Sequence, residues 1–290
     1  MKRFFLCVCL LGLLMPAYGQ ELYKVFAQYN TPEHKAQNKQ LLYSEQWMKF
    51  EKQKAQLITK EYFNLQGLPD SILFFDEEKN IDNRVQFNYD EKGRIALISG
   101  ATHGPLAKNE FEYINERQTI YVYLGDTDIL FRIKHIVLKN EMPLVAYTID
   151  PATKDTTELI RYNKNGKQVY SMDRFGADHL EQVFEWNEDN TKVNIFKIEG
   201  EDRKLEETHF YNSRGNLLKR VGANEQKILS SFTYDDDGKV TESFSFIYKN
   251  TYFYNNRGYL VKTLAENLVK EAIDKNLPEF IETEYKYQFR

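Results

Sequence analysis

A short turn phrase recurs along this chain and constrains its fold more than any other feature. Each copy is an aromatic residue followed by Asn or Asp, two variable residues and Gly, and the copies recur roughly every 24 positions. The clear copies are Phe63–Gly67, Tyr89–Gly93, Tyr162–Gly166, Tyr211–Gly215, Tyr234–Gly238 and Tyr254–Gly258. A fixed period of this length indicates a repeat protein, in which each repeat is one supersecondary unit packed against its neighbours.

Degenerate copies fill the gaps between the clear ones. They are Tyr113–Glu116, Leu138–Glu141 and Trp186–Asn190, and with them the chain has nine units between about Phe63 and Tyr254. The Asn or Asp side chain can accept a hydrogen bond from a backbone N–H two residues on, and Gly takes the left-handed conformation that other residues resist. The phrase therefore predicts a tight hairpin turn of the type I plus bulge kind.

The residues on either side of each turn alternate between apolar and polar. Val85–Tyr89 shows this alternation before one turn, and Lys239–Phe246 shows it after another. Alternation of this period is typical of half-buried antiparallel strands, so each turn joins two strands and return connections, such as Ser99 to Asn109, join the repeats. The 20 Tyr and 20 Phe residues suit cross-strand packing in such a meander.

Three of the phrases carry a family resemblance. Tyr89–Ile95 (Tyr-Asp-Glu-Lys-Gly-Arg-Ile), Tyr211–Leu217 and Tyr234–Val240 resemble the tyrosine–aspartate (YD) repeats of Rhs and teneurin proteins and of smaller secreted bacterial proteins. The resemblance covers about residues 58–290 and implies a broad, curling antiparallel sheet, which in the large family members forms a shell around a cargo. We therefore expect an all-β, mainly antiparallel fold: a curled meander of about nine stacked β-hairpin repeats with an N-terminal helix.

The first nineteen residues are predicted to be a secretory signal peptide. Lys2 and Arg3 form a positive n-region, Phe4 to Leu14 an apolar h-region, and Ala17-Tyr18-Gly19 a cleavage site before Gln20. An h-region of about eleven residues is too short to span a bilayer, and no later stretch is apolar enough to do so. The sequence thus predicts export to the periplasm or cell surface without a membrane span.

Cysteine content and charge exclude several classes of function for the mature chain. Cys7 and Cys9 both lie in the predicted signal peptide, so disulfides, thiol nucleophiles and Cys-ligated metals are excluded after cleavage. Removing Lys2 and Arg3 leaves 37 of the 39 basic residues against 43 acidic ones, a net charge of −6. This mild acidity argues against nucleic acid or an anionic membrane as partner.

Residues 20–57 are predicted to be an N-terminal helical, capping segment ahead of a repeat domain over residues 58–290. Thr31-Pro32-Glu33 provides an N-cap, a Pro at the first helical position and an acid in the first turn, and helix formers then run to about Lys54. Its apolar residues, which include Trp47 and Met48, could cover the open first edge of the sheet. The alternative is that this helix docks a partner.

A second irregular segment, about Leu264 to Asp274, lengthens the final repeat. Apolar residues at helical spacing run through it, and Phe280 to Phe289 then alternates as a closing strand. Insertions in repeat arrays often carry function, so this segment is either a docking element beside an open sheet edge or a C-terminal cap.

The chemistry-bearing residues do not form a recognisable catalytic set. The five histidines, His34, His103, His135, His179 and His209, lack metal-ligand spacing. Asp235-Asp236-Asp237-Gly238 fails the EF-hand register and favours a solvated turn. Asp173, Asp178 and Glu181 could be paired carboxylates of a glycosidase. We predict no catalytic, cofactor-binding or metal-binding residue.

Three classes of function remain open from the sequence. The first is a non-catalytic, exported interaction or scaffold protein whose partner is another envelope protein, in a setting such as a periplasmic accessory subunit of an outer-membrane channel or secretion complex. The second is a glycan-binding envelope protein, which would need aromatic side chains aligned on one solvated face although Trp47 and Trp186 are the only tryptophans. The third is an envelope enzyme.

Overall fold

The described residues of the computed structural model are 36, 38–51, 53–100, 107–124, 129–140, 142–174, 179–223, 227–245, 247–269 and 278–290. They form twenty β-strands. The first ten are β1 (Leu41–Phe50), β2 (Gln56–Phe63), β3 (Pro69–Phe75), β4 (Ile81–Tyr89), β5 (Ile95–Gly100), β6 (Ala107–Ile114), β7 (Arg117–Leu124), β8 (Leu130–Lys139), β9 (Met142–Ile149) and β10 (Thr156–Tyr162). The second ten are β11 (Gln168–Asp173), β12 (Leu180–Trp186), β13 (Lys192–Glu199), β14 (Asp202–Tyr211), β15 (Leu217–Gly222), β16 (Ile228–Tyr234), β17 (Val240–Ser245), β18 (Tyr248–Tyr254), β19 (Leu260–Asn267) and β20 (Phe280–Phe289). The predicted all-β, antiparallel meander of hairpins is confirmed.

The chain divides into two compact units. The first contains described residues up to Asn88, the stretch from Ile98 and the C-terminal part from Tyr252. Its strands pair antiparallel in the order β4, β3, β2, β1, β20, β19. The second contains Tyr89–Leu97 and Ala107–Thr251, and in it the strands from β6 to β17 and the first part of β18 pair consecutively.

The turn phrases have the predicted geometry. The Gly residue of every clear copy has a positive φ: Gly67, Gly93, Gly166, Gly215, Gly238 and Gly258. In the copy at Asn212, the side-chain Oδ1 accepts from Arg214 N at 3.0 Å and from Asn216 N at 2.9 Å. The strand register shifts by one residue beside the turn, between Phe210 and Tyr211, as a bulge requires. In the degenerate copies an Asn, which tolerates this conformation better than most residues, has the positive φ: Asn115, Asn140 and Asn190.

The aromatic residue of a phrase ties neighbouring repeats together. Its polar edge donates to the carbonyl two residues after the Gly of an earlier phrase, in the pairs Tyr113 to Ile95, Trp186 to Gln168 and Tyr234 to Leu217, at 2.8–3.0 Å. Tyr287, on β20 and outside any phrase, donates in the same way to Leu260 O at 2.6 Å. A cation often covers the same ring: Arg94 lies 4.0 Å from the centroid of Tyr113 and Lys167 lies 4.8 Å from Trp186. These aromatic residues therefore have a structural role, and Trp186 is not a free binding platform.

The prediction of an N-terminal helix is wrong for most of the described residues of that segment. Helical geometry is confined, among the described residues of this segment, to Ala36 and Asn38, and Leu41–Phe50 form β1. Strand β1 pairs with β2 on one side and with β20, at the far end of the chain, on the other. Pairing on both sides satisfies the backbone groups of β1, and this long-range gain overrides the local helix signals.

The C-terminal segment also differs from the prediction. Leu264 to Asn267 continue strand β19, in which Leu264 to Glu266 pair with β20, and residues 270–277 lie outside the described part. The closing strand at Phe280–Phe289 is confirmed. It is hydrogen-bonded on both sides, by β1 and β19, so the open edge that the sequence suggested for docking is not present at β20.

Each unit has its own apolar core. In the first unit, Leu41, Phe63 and Tyr259 form a buried cluster against which Tyr287 and Phe289 pack. In the second unit, Ile120, Ile136, Ala146 and Ile160 bring β7 to β10 together. Leu41 is only 1% exposed although it begins the first strand, which shows how completely β1 is integrated into its unit.

Candidate functional site

Strand alternation separates Trp47 from the core. Met48 is 4% exposed and belongs to the buried side of β1, whereas its neighbour Trp47 projects to the opposite side, directly across from Glu284 on β20. The sequence prediction favoured packing for both residues. That prediction holds for Met48, while half-buried Trp47 lies on a separate, polar and aromatic face.

We call this surface the Trp47 face, and define it by Tyr43, Glu45, Trp47, Lys60, Tyr62 and Lys286. The two tyrosines are opposite each other on β1 and β2, with ring centroids 5.8 Å apart. The indole N–H of Trp47 donates to Glu45 Oε2 at 3.0 Å. The face thus brings three aromatic side chains and three charges together on adjacent strands of one unit.

The charges of the Trp47 face hold its aromatic rings in place. Lys60 Nζ lies 3.5 Å from the ring centroid of Tyr43 and 3.1 Å from Glu45 Oε1. Lys286 Nζ lies 4.4 Å from the Trp47 ring. Burial alone would raise the pKa of Glu45. The hydrogen bonds from Trp47 and Lys60 and the positive charges of Lys60 and Lys286 outweigh burial, so the pKa of Glu45 lies below its ordinary value. The carboxylate therefore stays ionised at neutral pH.

A cleft of about 470 Å³ opens beside Trp47. Its other lining residues are Lys49, Gln53, Lys54, Ala55, Glu282 and Glu284. Glu282 pairs with Lys262 at 3.0 Å across β19 and β20. An aromatic wall with amide, ammonium and carboxylate groups around it can accept a polar ligand by stacking and hydrogen bonding.

A second cleft, of about 620 Å³, lies in the other unit. Tyr147, Leu159 and Met172 stand opposite one another on β9, β10 and β11 and form a continuous apolar row. The remaining lining residues are polar: Thr153, Asp155, Thr156, Thr157 and Arg174. No sequence motif marked these residues, because strand pairing assembles them from three elements.

The carboxylates considered for glycosidase chemistry do not form a pair. Asp173 stands opposite Leu180, and Glu181 opposite Met172, so the two acids project to opposite sides of the β11–β12 ladder. Glu181 accepts a hydrogen bond from Tyr170 at 2.7 Å. Asp178 lies outside the described residues. Two acids on opposite faces cannot act on one glycosidic bond.

Two of the described histidines lie far apart in sequence, on different strands. His135 on β8 forms a hydrogen bond with Thr119 at 3.1 Å, and its ring packs at a tilt against Tyr147 with the ring centroids 4.9 Å apart. Burial together with the nearby Arg117 lowers the pKa of His135. His209 on β14 lies 2.7 Å from Glu207, which Arg220 also binds, at 2.8 Å.

His179 is exposed just before β12, whereas His34 and His103 fall outside the described residues. Within the described ranges, no group of three His, Cys, Asp or Glu side chains could hold a metal ion.

The acidic phrase at Asp235 is a hairpin turn. Asp235 Oδ1 accepts from Lys239 N at 2.8 Å, and Gly238 N donates to Asp235 O at 3.0 Å. Asp236 and Asp237 are exposed. The turn thus matches the solvated hairpin that the sequence favoured over a calcium loop.

In the described part of the chain, no helix has the length and apolar character to cross a membrane.

Comparison with known proteins gives weak likenesses. No model of a known protein family matches the chain, and no curated protein matches it. The pore structure of the Photorhabdus luminescens Tc holotoxin aligns at 11% identity and a TM-score of 0.24, over 77% of this chain and 16% of that one. A DUF1329 family protein from Desulfovibrio piger aligns at 7% identity and a TM-score of 0.16, over 93% and 90% of the two chains. Neither likeness is strong enough to show a shared fold.

Proposed function

We propose that this chain is an exported, non-catalytic interaction protein of the YD-repeat type, which uses the Trp47 face to bind another protein of the cell envelope. Its setting is that of an accessory subunit of an outer-membrane channel or secretion complex, in the periplasm or at the cell surface. The observation that carries the proposal is the gathering of Trp47, Tyr43 and Tyr62 with paired charges on one side of β20, β1 and β2.

The composition of the Trp47 face suits protein recognition. Tyr and Trp supply large contact areas at low cost in side-chain entropy, and they dominate the energetics of many interfaces. On this face they are already ordered by Lys60, Glu45 and Lys286, so binding would freeze few side chains. The adjacent cleft of about 470 Å³ offers a concave site in which a partner side chain could be buried.

Co-purification from native envelopes tests this function. Tagged wild-type protein should retain a partner in near-stoichiometric amount, and Trp47→Ala should lose most of it, because a buried Trp anchor contributes about 2 kcal/mol or more to binding. Phe253→Ala is the matched control, since Phe253 is an aromatic residue of the same unit that is 43% exposed and lies on β18. Equal retention by all three proteins would refute the role of the Trp47 face.

Export is tested separately by intact mass. The n-region, h-region and cleavage site predict a mature protein that starts at Gln20 and contains no thiol. A secreted species that retains Cys7 and Cys9 would contradict the proposed localisation.

The Trp47 cleft also favours one alternative, glycan binding. A sugar ring can stack on an indole while the Gln53 amide donates hydrogen bonds to, and accepts them from, its hydroxyls and the Glu284 carboxylate accepts hydrogen bonds from them. Titration with soluble cell-wall oligosaccharides, followed by Trp47 fluorescence in a Trp186→Phe background, distinguishes the two functions. Saturable quenching that Gln53→Ala abolishes would favour the glycan.

A further inference from the structure

The larger cleft, in the unit that contains β6 to β17, combines an apolar floor with two opposite charges. Its floor is the row of Tyr147, Leu159 and Met172. Asp155 and Arg174 also line it, and both residues are exposed. Neither of these charges forms an ion pair with another described residue.

Backbone hydrogen bonds hold the two charged residues in place. The N–H of Arg174 donates to Thr157 O at 2.7 Å, which anchors the residue that follows β11 beside β10. The turn between β9 and β10 is closed by Asp150 N donating to Asp155 O at 3.0 Å, and Asp155 N donates to Thr153 Oγ1 at 3.2 Å. The cleft is thus bordered by ordered backbone that carries one carboxylate and one guanidinium.

This arrangement is complementary to a dipolar, amphipathic molecule. A guanidinium binds a carboxylate with two parallel hydrogen bonds, and a carboxylate binds an ammonium group. The apolar row crosses three neighbouring strands, a span of about 10 Å, which is close to the extended length of three residues. A volume of about 620 Å³ also falls within the usual range of small-molecule sites.

We propose that this cleft binds short peptides of two to three apolar residues with free termini, the peptide carboxylate on Arg174 and the peptide ammonium on Asp155. The side chains of the peptide lie on Tyr147, Leu159 and Met172, and the threonines at the rim bond its backbone. This site is independent of the Trp47 face, so loss of partner docking and loss of peptide binding can be separated.

Calorimetric titration of the full mature chain with the tripeptide Leu-Ala-Phe tests the proposal. The free tripeptide should bind, and its C-terminal amide and its N-acetyl form should each bind at least about tenfold more weakly, because each lacks one charge-assisted hydrogen bond. Absence of binding of the free tripeptide up to 10 mM (about the weakest affinity the method detects) would overturn the proposal.

Variants assign each terminus to its residue. The Arg174→Gln variant should bind the free tripeptide and its C-terminal amide equally well. The Asp155→Asn variant should bind the free tripeptide and its N-acetyl form equally well. Both residues are exposed, so their loss should leave the melting temperature unchanged. Arg203→Gln, which removes the same charge from β14, should retain the full preference for the acid. An unchanged preference in Arg174→Gln would show that the peptide lies elsewhere.

Discussion

Glu61 makes the stability of the first unit depend on pH. It lies on β2, between Ser44 on β1 and Ile72 on β3, and its Oε1 is buried and has no hydrogen-bond partner in the described structure. Burial raises the pKa of this carboxyl from 4.5 to about 7. The same region also disfavours a negative charge on Tyr287. Burial, together with the nearby Tyr285 and Glu61, raises the pKa of the Tyr287 hydroxyl.

The raised pKa determines the direction of the effect. Below pH 4.5 the carboxyl is protonated in the folded and unfolded states, so its full contribution to stability is present. As pH rises from 4.5 to about 7, the unfolded chain ionises first and the free energy of unfolding falls. The difference between the two pKa values corresponds to a loss of about 3 kcal/mol, complete above pH 7.

Glu61→Gln should remove this loss, because the amide stays neutral at every pH. Relative to wild type, the variant should gain about 3 kcal/mol in the free energy of unfolding between pH 4.5 and pH 8. Urea titrations in a Trp186→Phe background report on this unit, because Trp47 is then the remaining tryptophan. Glu284→Gln, at an exposed position on β20, should show no such pH-dependent gain. A constant difference between Glu61→Gln and wild type across this pH range would refute the reasoning.

Three further substitutions test the hairpin array by thermal and urea unfolding. Gly238→Val should cost about 1 kcal/mol or more, because its φ of 84° is unfavourable for other residues although space for a Cβ exists, and a neutral result would contradict the turn geometry. Tyr234→Phe should lower the free energy of unfolding by about 1 kcal/mol, because Leu217 O loses the hydroxyl that donates to it at 2.8 Å. An unchanged free energy of unfolding would mean that this hydrogen bond between repeats does not contribute to stability. Gly100→Ala should cost about 3 kcal/mol, because its Cβ would lie 1.8 Å from Arg84 O, and full stability would show that this close approach is not maintained in solution.

The turns could be predicted from sequence because their chemistry is local. An Asx side chain, a left-handed Gly and the flanking alternation act within about ten residues, and each clear copy has the expected positive φ. Return connections without the phrase were harder to identify. The turn at Asp76–Asn80, for example, places a Lys, Lys79, at a φ of 67°, and no Gly marks it.

The N-terminal strand could not be predicted in the same way. Its helix signals are real and local, whereas its partners are distant, as in the pairing of Leu41 with Phe289. The same long-range pairing decides that Trp47 and Met48 face opposite sides, which no helical periodicity would show. The clefts depend on the register between strands, so Arg174 and Asp155 carried no signal in the sequence.

Site-specific photo-crosslinking in intact cells tests the central claim most directly. A benzophenone amino acid placed at Trp47 should crosslink to one envelope protein, and the same probe at Phe253, on β18, should not. Two results would contradict the proposal that the Trp47 face is the docking surface. One is equal crosslinking from both positions, and the other is no crosslinking from Trp47 in a protein that is exported and folded.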